Sequence, residues 1–334
     1  MTIKHLLTAS MALFLTACSA DSSTDVEATE DQELEDVSIM LDWYPNAVHS
    51  YLYTAMEQGY FEEEGIELSI RFPANPTDPL SLAATGDITI GITYQPDVIT
   101  ARNQGIPVVS IAAIARSPLN HIIYTDDAIE SPADLAGKQV GYPGIPVNEP
   151  MIDTMVRHAG GDPNEVELID VGFELGSSAV SGRVDAVSGA YINHEVPVLR
   201  YQGHEVHYFN PVDYGVPPFY ELVMVTSEET LDENQPLIEA FWRAASRGFD
   251  DMQADPDGSL DVLFTHEDQE NFPLIREVEE ESLGILLEKM TLDGATFGSQ
   301  YADDWQATID WLYESGFIEE KPDTEDSFIN LVED

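Results

Sequence analysis

Basic residues are scarce in this chain of 334 residues. It has 13 lysines and arginines against 63 aspartates and glutamates, which gives a formal net charge of −50 at pH 7. The only lysines are Lys4, Lys138, Lys289 and Lys321. Proteins bind nucleic acid and anionic lipid by displacing phosphate counterions with Lys and Arg side chains. The composition therefore disfavours both kinds of partner, and we expect that the protein binds no nucleic acid.

The acidic excess accompanies an ordinary apolar fraction of 43%. An acidic surface over a normal core indicates adaptation to high salt, where self-repulsion is screened. The alternative is a surface that binds cations through clustered ligands. The nearest candidate segment, DPDGSLD from Asp255, lacks the Glu that ends a calcium loop. We therefore expect no functional metal site.

Cysteine is nearly absent, since Cys18 is the only one and no disulfide can form within the chain. It follows Lys4 and a short apolar run in MTIKHLLTASMALFLTAC, a pattern typical of a secretory signal rather than a membrane span. The end of that run, LTAC, resembles the lipobox of bacterial lipoproteins. We predict a signal peptide at residues 1–17 and lipidation of Cys18. The alternative is a secreted protein with an incidental cysteine in its signal.

The segment after the signal is small, polar and acidic, without the periodicity that could bury a face. We predict that residues 18–36 form a disordered, lipidated tether that holds a folded region off a membrane. Export and anchoring on the extracytoplasmic side, in the periplasm or at the cell surface, follow from this prediction. A lipid anchor would be the protein's only contact with the membrane.

Short apolar strands alternate with helix patterns from Val37 onward, as in VSIMLD before residues 48–58 and ITIGIT before YQPDVITARNQG. This alternation predicts βα units and mostly parallel sheets flanked by helices. We predict an α/β fold with lobe 1 at residues 37–125 and 222–334 and lobe 2 at residues 126–221. Two crossings, near Thr125 and Leu222, would form a hinge. Such an architecture is typical of substrate-binding proteins that close on a small molecule.

Aromatic residues recur where the predicted strands end. Trp43 and Tyr44 follow the first strand, Tyr94 follows ITIGIT, and Tyr142 and Tyr191 end two strands of lobe 2. In open α/β sheets ligands bind outside the carboxyl ends of strands. A flat heteroaromatic ring stacked on such side chains gains roughly 0.5–1.5 kcal/mol per pair beyond burial. We predict that these residues line an interlobe cleft; the alternative for each is packing in a core or between lobes.

Three stretches resemble a known family: LDWYPNAVHSYLYTAMEQGYFEEEGIEL, PANPTDPLSLAATGDITIGITYQPDVITARNQGIPVVSIAAIARSPLNHIIY and GAYINHE. The sequence resembles the ThiY proteins, which are thiamin-precursor-binding components of ABC importers. Their wider SsuA/ThiY-like family includes sulfonate- and nitrate-binding proteins and fungal pyrimidine synthases. GYFEEEGI is shared across that family, whereas LDWYPNAVH, ITYQPD and SPLNH point to the pyrimidine branch.

The resemblance implies a two-lobed periplasmic-binding-protein fold of type II with its ligand in the interlobe cleft. The implied ligand is N-formyl-4-amino-5-aminomethyl-2-methylpyrimidine, a salvage product of degraded thiamin. The implied partners are the permease and ATPase subunits of an importer, and we expect a monomer. Another flat heteroaromatic compound, such as a riboflavin-like molecule or a thiamin analogue, remains an alternative ligand because stacking tolerates different rings.

An aminopyrimidine needs hydrogen-bond acceptors for its exocyclic amine. We predict that Glu195 is the main acceptor, because a carboxylate can bind the amine and a protonated ring nitrogen together. The alternative is an acidic residue in the first turn of a helix. Further predicted ligand contacts are Asn46, His49, Asn120, Asn193, Phe219 and Tyr220. His49 is equally interpretable as structural, and Phe219 and Tyr220, at the return crossing, as hinge residues.

Two other function classes are disfavoured. Anion recognition calls for Arg, or for Ser and Thr at helix N-termini, yet the loop PGIPVNEP is apolar and acidic. The fungal synthases use a cysteine-rich, iron-associated motif and pyridoxal phosphate, which requires a Schiff-base lysine. Here the single cysteine is assigned to the anchor, and no lysine lies at a predicted strand-end pocket. We therefore predict a non-enzymatic protein without catalytic residues or cofactor.

Overall fold

The structure is a computed structural model that describes residues 34–292 and 294–331. The predicted signal peptide, the lipidation of Cys18 and residues 18–33 of the predicted tether lie outside the described residues. Glu35 and Asp36 were predicted to belong to the tether, but they begin the first strand, where they pair with Ile66 and Glu67. The tether prediction is wrong at this end, because backbone pairing continues past exposed polar side chains.

Two five-stranded mixed sheets form the framework of the described region, and they share no strand. The first has the order β2-β1-β3-β10-β4 and the second the order β7-β6-β8-β5-β9. The strands are β1 (Glu35–Met40), β2 (Ile66–Arg71), β3 (Ile90–Thr93), β4 (Val108–Ala115), β5 (Asn120–Tyr124), β6 (Gln139–Tyr142), β7 (Glu167–Asp170), β8 (Ala186–Tyr191), β9 (His207–Phe209) and β10 (Leu222–Ser227).

Helices connect and flank these strands. They are α1 (Ser50–Glu57), α2 (Tyr60–Glu63), α3 (Asp78–Thr85), α4 (Gln95–Asn103), α5 (Asn148–His158), α6 (Leu175–Val180), α7 (Glu195–Tyr201), α8 (Glu228–Ala254), α9 (Pro256–Thr265), α10 (Arg276–Met290), α11 (Ala302–Glu314) and α12 (Thr324–Ser327). Short 3-10 turns occur at Ala47–His49, Pro132–Leu135, Pro163–Glu165 and Pro211–Tyr214. Within the described residues, no helix is long and apolar enough to span a bilayer.

The pairing of the strands follows the βα pattern with one antiparallel addition to each sheet. In the first sheet, β1 runs parallel to β2 and β3, and β10 is inserted antiparallel between β3 and β4. In the second sheet, β6 runs parallel to β7 and β8, while β5 is antiparallel to β8 and β9. The carboxyl ends of the parallel strands are therefore available at one edge of each sheet.

The chain crosses between the sheets twice, at residues 116–119 and again at residues 210–221. Residues 120–124 were predicted to lie in lobe 1, but as β5 they pair with β8 and β9 of the second sheet. The predicted boundary at 125 is wrong by the length of this strand. A short apolar strand does not reveal in its own sequence which of two sheets it joins.

The core of the first lobe combines buried strands with close helix packing. All residues of β3, β4 and β10 are buried. Helix α8 approaches α1 at Gly248, where a Cβ atom would collide with the carbonyl oxygen of Tyr51 and with Ala55. Glycine at this position lets the two helices pack closely and fixes α1 behind the loop that follows β1.

Candidate ligand-binding site

A cavity lies at the carboxyl ends of strands from both sheets. It opens to solvent at its mouth. The residues that line it are Asp42, Trp43, Asn46, Val48, Tyr94, Asn120, Ile145, Val147, Asn148, Gly189, Tyr191, Asn193, His194, Glu195 and Glu221. Both lobes contribute to the wall, so the cavity occupies the position where a cleft between two α/β lobes binds small molecules.

Several residues singled out from the sequence meet at this cavity: Trp43, Asn46, Tyr94, Asn120, Tyr191, Asn193 and Glu195. Trp43 and Tyr94 follow β1 and β3 of the first sheet, and Tyr191 ends β8 of the second. Aromatic surface from two lobes thus faces one space. In each sheet, ligand-binding residues follow the carboxyl ends of the strands. The two lobes bring these edges of the two sheets together, so the aromatic residues meet at one cavity.

Other predicted residues do not line the cavity. Phe219 is buried with its ring parallel to that of Trp311 at 6.3 Å, and the Tyr220 hydroxyl donates to Oδ2 of Asp304 at 2.6 Å. Both serve the packing of the return crossing against α11. Tyr142 ends β6 with its hydroxyl 3.5 Å from Oε1 of Glu149. The loop after β6, rather than Tyr142, lines the cavity.

His49 lies behind the cavity wall and supports it. Its Nδ1 accepts a hydrogen bond from the backbone N–H of Asn46 at 3.2 Å, so its proton is on Nε2, which donates to Oδ1 of Asp42 at 2.9 Å. His49 is 1% exposed. The histidine therefore fixes the orientation of Asp42, which agrees with its structural interpretation.

Tyr44 takes part in an aromatic bridge, which we define as Trp43, Tyr44, Phe173 and Phe272. Phe173, in the turn between β7 and α6, contacts Trp43 edge-on with ring centroids 4.4 Å apart and lies 4.9 Å from Tyr44. Tyr44 stacks on Phe272 at 3.9 Å. The bridge joins the loop after β1 in one lobe to a turn of the other, and it includes Trp43 of the cavity wall.

Three carboxylates line the cavity, and each has one oxygen held by the protein. Asp42 Oδ1 binds His49, and Glu195 Oε2 accepts from the N–H of Tyr191 at 2.7 Å. Glu221 Oε2 accepts from the N–H groups of Leu119 and Asn120 at 2.8 and 2.9 Å. The donors His49, Tyr191 N–H, Leu119 N–H and Asn120 N–H thus all reach one oxygen of each carboxylate, and the Tyr191 hydroxyl lies beside Glu221.

Sequence reasoning missed Asp42 and Glu221. Asp42 directly precedes Trp43 after β1, so its position at the carboxyl end of a strand could have identified it as well. Glu221 precedes β10, which runs antiparallel to its neighbours, and so the beginning of this strand lies at the edge where parallel strands end. A rule based on the carboxyl ends of strands cannot find such a residue without the strand pairing.

Burial controls the ionisation of the acidic groups around the cavity. It raises the pKa of Glu221 to about 7, although two backbone N–H groups favour the carboxylate and partly offset the effect. Burial and the neighbouring charge of Glu221 raise the pKa of Asp97, on α4, to about 7. Burial, with Asp42 and Glu221 nearby, also raises the pKa values of Tyr94 and Tyr191. These groups therefore keep their protons to higher pH than exposed groups of the same type.

Some polar atoms of the wall are buried without a partner in the part of the chain that the structure describes. They are Asn193 Oδ1 and His194 Nδ1. By contrast, Asn120 is engaged at both ends of its amide, since it donates to Asn148 at 3.0 Å and accepts from the N–H of Gly189 at 2.7 Å. Buried polar atoms normally have partners, so the unpaired ones indicate where a ligand would supply them.

Comparison with known proteins gives close relatives. Residues 46–259 match the protein family described as NMT1/THI5 like. The chain is 53% identical over 322 residues, 96% of each protein, to a formylaminopyrimidine-binding protein of Halalkalibacterium halodurans. It is 33% identical over 257 residues to a putative thiamine biosynthesis protein of Haemophilus influenzae, covering 76% of this chain and 81% of that protein.

More distant relatives include enzymes and solved structures. A 4-amino-5-hydroxymethyl-2-methylpyrimidine phosphate synthase of Saccharomyces cerevisiae is 25% identical over 231 residues, 66% of this chain and 68% of that protein. The CA3427 gene product of Candida albicans, described as having the generic periplasmic binding protein structural fold, superposes with a TM-score of 0.66 at 16% identity. The superposition covers 90% of this chain and 98% of that one. It confirms the predicted two-lobed α/β fold.

Proposed function

The chain belongs to the NMT1/THI5-like family, and we propose that it is the solute-binding component of an ABC importer that captures a thiamin pyrimidine precursor. The proposed ligand is N-formyl-4-amino-5-aminomethyl-2-methylpyrimidine, which serves thiamin salvage. One observation carries the proposal: aromatic side chains and half-engaged carboxylates from two lobes line the same cavity. The name of the relative at 53% identity supports this ligand class.

The cavity provides a place for each part of an aminopyrimidine. A flat ring between Trp43 and the tyrosines of the wall would gain stacking from both lobes at once. Glu195 would use its free oxygen to accept the exocyclic N–H, because its other oxygen is held by the backbone of Tyr191. Since one ligand would contact both lobes, binding would favour the closed arrangement over an open one.

The proposal is for a binding protein rather than an enzyme. The yeast synthases are relatives at 25% identity, whereas the relative at 53% identity is named as a binding protein. A pyridoxal enzyme needs a lysine at its reacting centre. Among the described residues that line the cavity there is no lysine and no cysteine. The wall offers binding groups without the nucleophile that this chemistry uses.

The remaining parts of the proposal concern location and partners. Residues 1–17 would direct export, and a lipid on Cys18 would tether the protein outside the cytoplasm through residues 18–34. There the closed lobes would present their ligand to a permease driven by an ATPase. We propose that the protein acts as a monomer, since one chain supplies the complete wall of the cavity.

Isothermal titration with a panel of compounds tests the ligand. The panel contains the formylaminopyrimidine, its deformylated amine, thiamin, riboflavin and an alkanesulfonate, each titrated into the protein in molar salt. We expect one-to-one binding of an aminopyrimidine and weak or no binding of the sulfonate. Tight binding of riboflavin or of the sulfonate with no response to either aminopyrimidine would refute the ligand while leaving the fold class intact.

A further inference from the structure

The cavity wall contains more acidic groups than a neutral ligand needs. Asp42, Glu195 and Glu221 all line it, and the hydrogen bonds from His49 and from backbone N–H groups reach only one oxygen of each. Asp42 and Glu221 are each only 2% exposed. Burying an ionised carboxylate without a counter-charge is costly. The arrangement therefore favours a guest that brings positive charge.

Two histidines lie near these carboxylates: His49 donates to Asp42, and His194 lines the cavity. The groups that act on Glu221 are the N–H donors of Leu119 and Asn120 and the side chains of Asp42, Tyr94 and Tyr191. Asp97, on α4, adds a further buried acid whose Oδ1 has no partner among the described residues. Within the ranges that the structure describes, neither lysine nor arginine lines the cavity.

A second observation also points to a ligand rich in donors. Asn193 is 1% exposed and lines the cavity, and its Nδ2 donates to Ser282 at 3.1 Å. Its Oδ1 is an acceptor without a partner in the described chain. The wall thus presents acceptor groups from four side chains, and the Trp43 ring offers a face that attracts cations. A protonated aminopyrimidine complements this set better than a neutral one.

Building on the proposed function, we propose that the cavity binds its aminopyrimidine as a monocation that the carboxylates of Glu221, Asp42 and Glu195 attract. The proton has two sources. Where Glu221 is protonated in the empty protein, its O–H bond breaks as a ring N–H bond forms, and no proton is exchanged with solvent. Where Glu221 is already ionised, the ring nitrogen takes its proton from solution.

Proton-linked calorimetry distinguishes a cationic ligand from a neutral one. The full chain is titrated with the formylaminopyrimidine at pH 8.5 in buffers of different ionisation enthalpy. At that pH Glu221 and Asp97 are ionised in the empty protein, and an aminopyrimidine is a mostly neutral weak base. We expect uptake close to one proton per ligand bound and an affinity that falls close to tenfold per pH unit. Binding without uptake, at pH-independent affinity, would overturn the proposal.

A fixed-charge ligand and a matched pair of variants complete the test. An N-methylated pyrimidinium analogue should bind without proton uptake. Glu221→Gln should weaken aminopyrimidine binding about tenfold or more, because one attracting charge is removed, whereas Glu205→Gln, at an exposed position before β9, should not. Circular dichroism and thermal melting establish that both variants fold. Equal affinities for wild type and Glu221→Gln would contradict the proposed attraction.

The outcomes separate this inference from the function on which it rests. If the aminopyrimidine binds without proton uptake and an uncharged isostere binds equally well, the function stands and the charge inference fails. If no aminopyrimidine binds but the pyrimidinium and other aromatic cations do, the ligand proposal fails and the charge inference stands. If neither the pyrimidines nor the cations bind, both are refuted.

Discussion

The carboxylate of Glu195 is held by one oxygen, because Oε2 accepts the N–H of Tyr191 at 2.7 Å. At the first position of α7 this contact also matches the alternative interpretation of an acid in the first helical turn. The two roles do not compete, since the backbone contact orients the side chain and leaves Oε1 for a ligand. The sequence could suggest either role, and only the position of the cavity shows that both are available.

A charge-removing change at Glu195 tests its role as acceptor. Glu195→Gln keeps the size of the side chain but loses the negative charge that strengthens its hydrogen bonds. We expect the affinity for the aminopyrimidine to fall by ~1.5–3 kcal/mol in isothermal titration. Glu205→Gln, on the exposed surface, serves as the control. An unchanged affinity in Glu195→Gln would assign this residue to helix capping alone.

The raised pKa of Asp97 makes stability depend on pH. The pKa of this group is about 7 in the folded protein against a usual 3.8. Between these values the unfolded chain loses a proton that the folded chain keeps, so Asp97 lowers the free energy of unfolding as pH rises from about 4 to about 7. Above pH 7 the ionised Asp97 lowers the free energy of unfolding by its full amount. Below pH 4 both states are protonated and the cost is absent.

Replacement of Asp97 should remove this cost. We expect Asp97→Asn to raise the free energy of unfolding at pH 8 by an amount on the order of 3 kcal/mol, with little change at pH 4. Urea denaturation of both proteins at the two pH values, in molar salt, measures the difference. A stabilisation that is equal at pH 4 and pH 8 would show that ionisation of Asp97 is not its cause.

At the scale of secondary structure, the alternation of strands and helices was readable because each βα unit is local. The predictions were wrong where the start of a strand, or the sheet that it joins, depends on the strand with which it pairs. The strand β5 has an apolar sequence suited to either sheet, and β1 begins at polar residues whose inclusion depends on β2. The helix α8 begins at Glu228, where Ser227 caps it, and a kink at Asn234 accommodates Pro236 within the helix.

The close packing of α1 and α8 gives a test with a matched control. Gly248→Ala places a Cβ against the carbonyl of Tyr51 and the side chain of Ala55, so we expect a loss of roughly 1–3 kcal/mol in the free energy of unfolding. Gly284→Ala lies in α10 with no neighbouring atom within 4 Å of the new Cβ. It should stabilise by up to about 1 kcal/mol through helix propensity. Chemical denaturation measures both, and a loss in both variants would contradict the packing argument.

The aromatic bridge should control how long a ligand stays bound. Phe173→Ala removes contacts with Trp43 and Tyr44 that join the two lobes. Two such pairs are worth roughly 1–3 kcal/mol, so we expect ligand release to become about tenfold faster, measured by stopped-flow tryptophan fluorescence. Phe72→Ala is the control, because Phe72 contacts Phe272 within the first lobe. Equal release rates in the two variants would show that the bridge does not hold the lobes together.

At the scale of the whole molecule, the family and the two-lobed fold are confirmed by the comparisons, because local motifs and βα order specify them together. The relative positions of Asp42, Glu221 and Asp97 depend on the order and direction of the strands in the first sheet, which no single stretch of sequence encodes. Adaptation to salt remains a prediction from composition. It concerns the total charge and does not depend on any one residue.

The net charge of −50 should make stability depend strongly on ionic strength. The Debye length falls from about 10 Å at 0.1 M salt to about 3 Å at 1 M, so repulsion between surface carboxylates weakens. We expect the free energy of unfolding to rise between 0.1 and 2 M NaCl. Urea denaturation at each concentration measures it. A flat or falling dependence would contradict adaptation to high salt.

A crystal structure of the protein grown with N-formyl-4-amino-5-aminomethyl-2-methylpyrimidine tests the central claim most directly. We predict the ring in the cavity, stacked on Trp43, with its exocyclic amine within hydrogen-bond distance of Glu195 and further donors facing Glu221 or Asn193. A ligand bound at another surface, or a cavity that remains without pyrimidine at saturating concentration, would contradict the account.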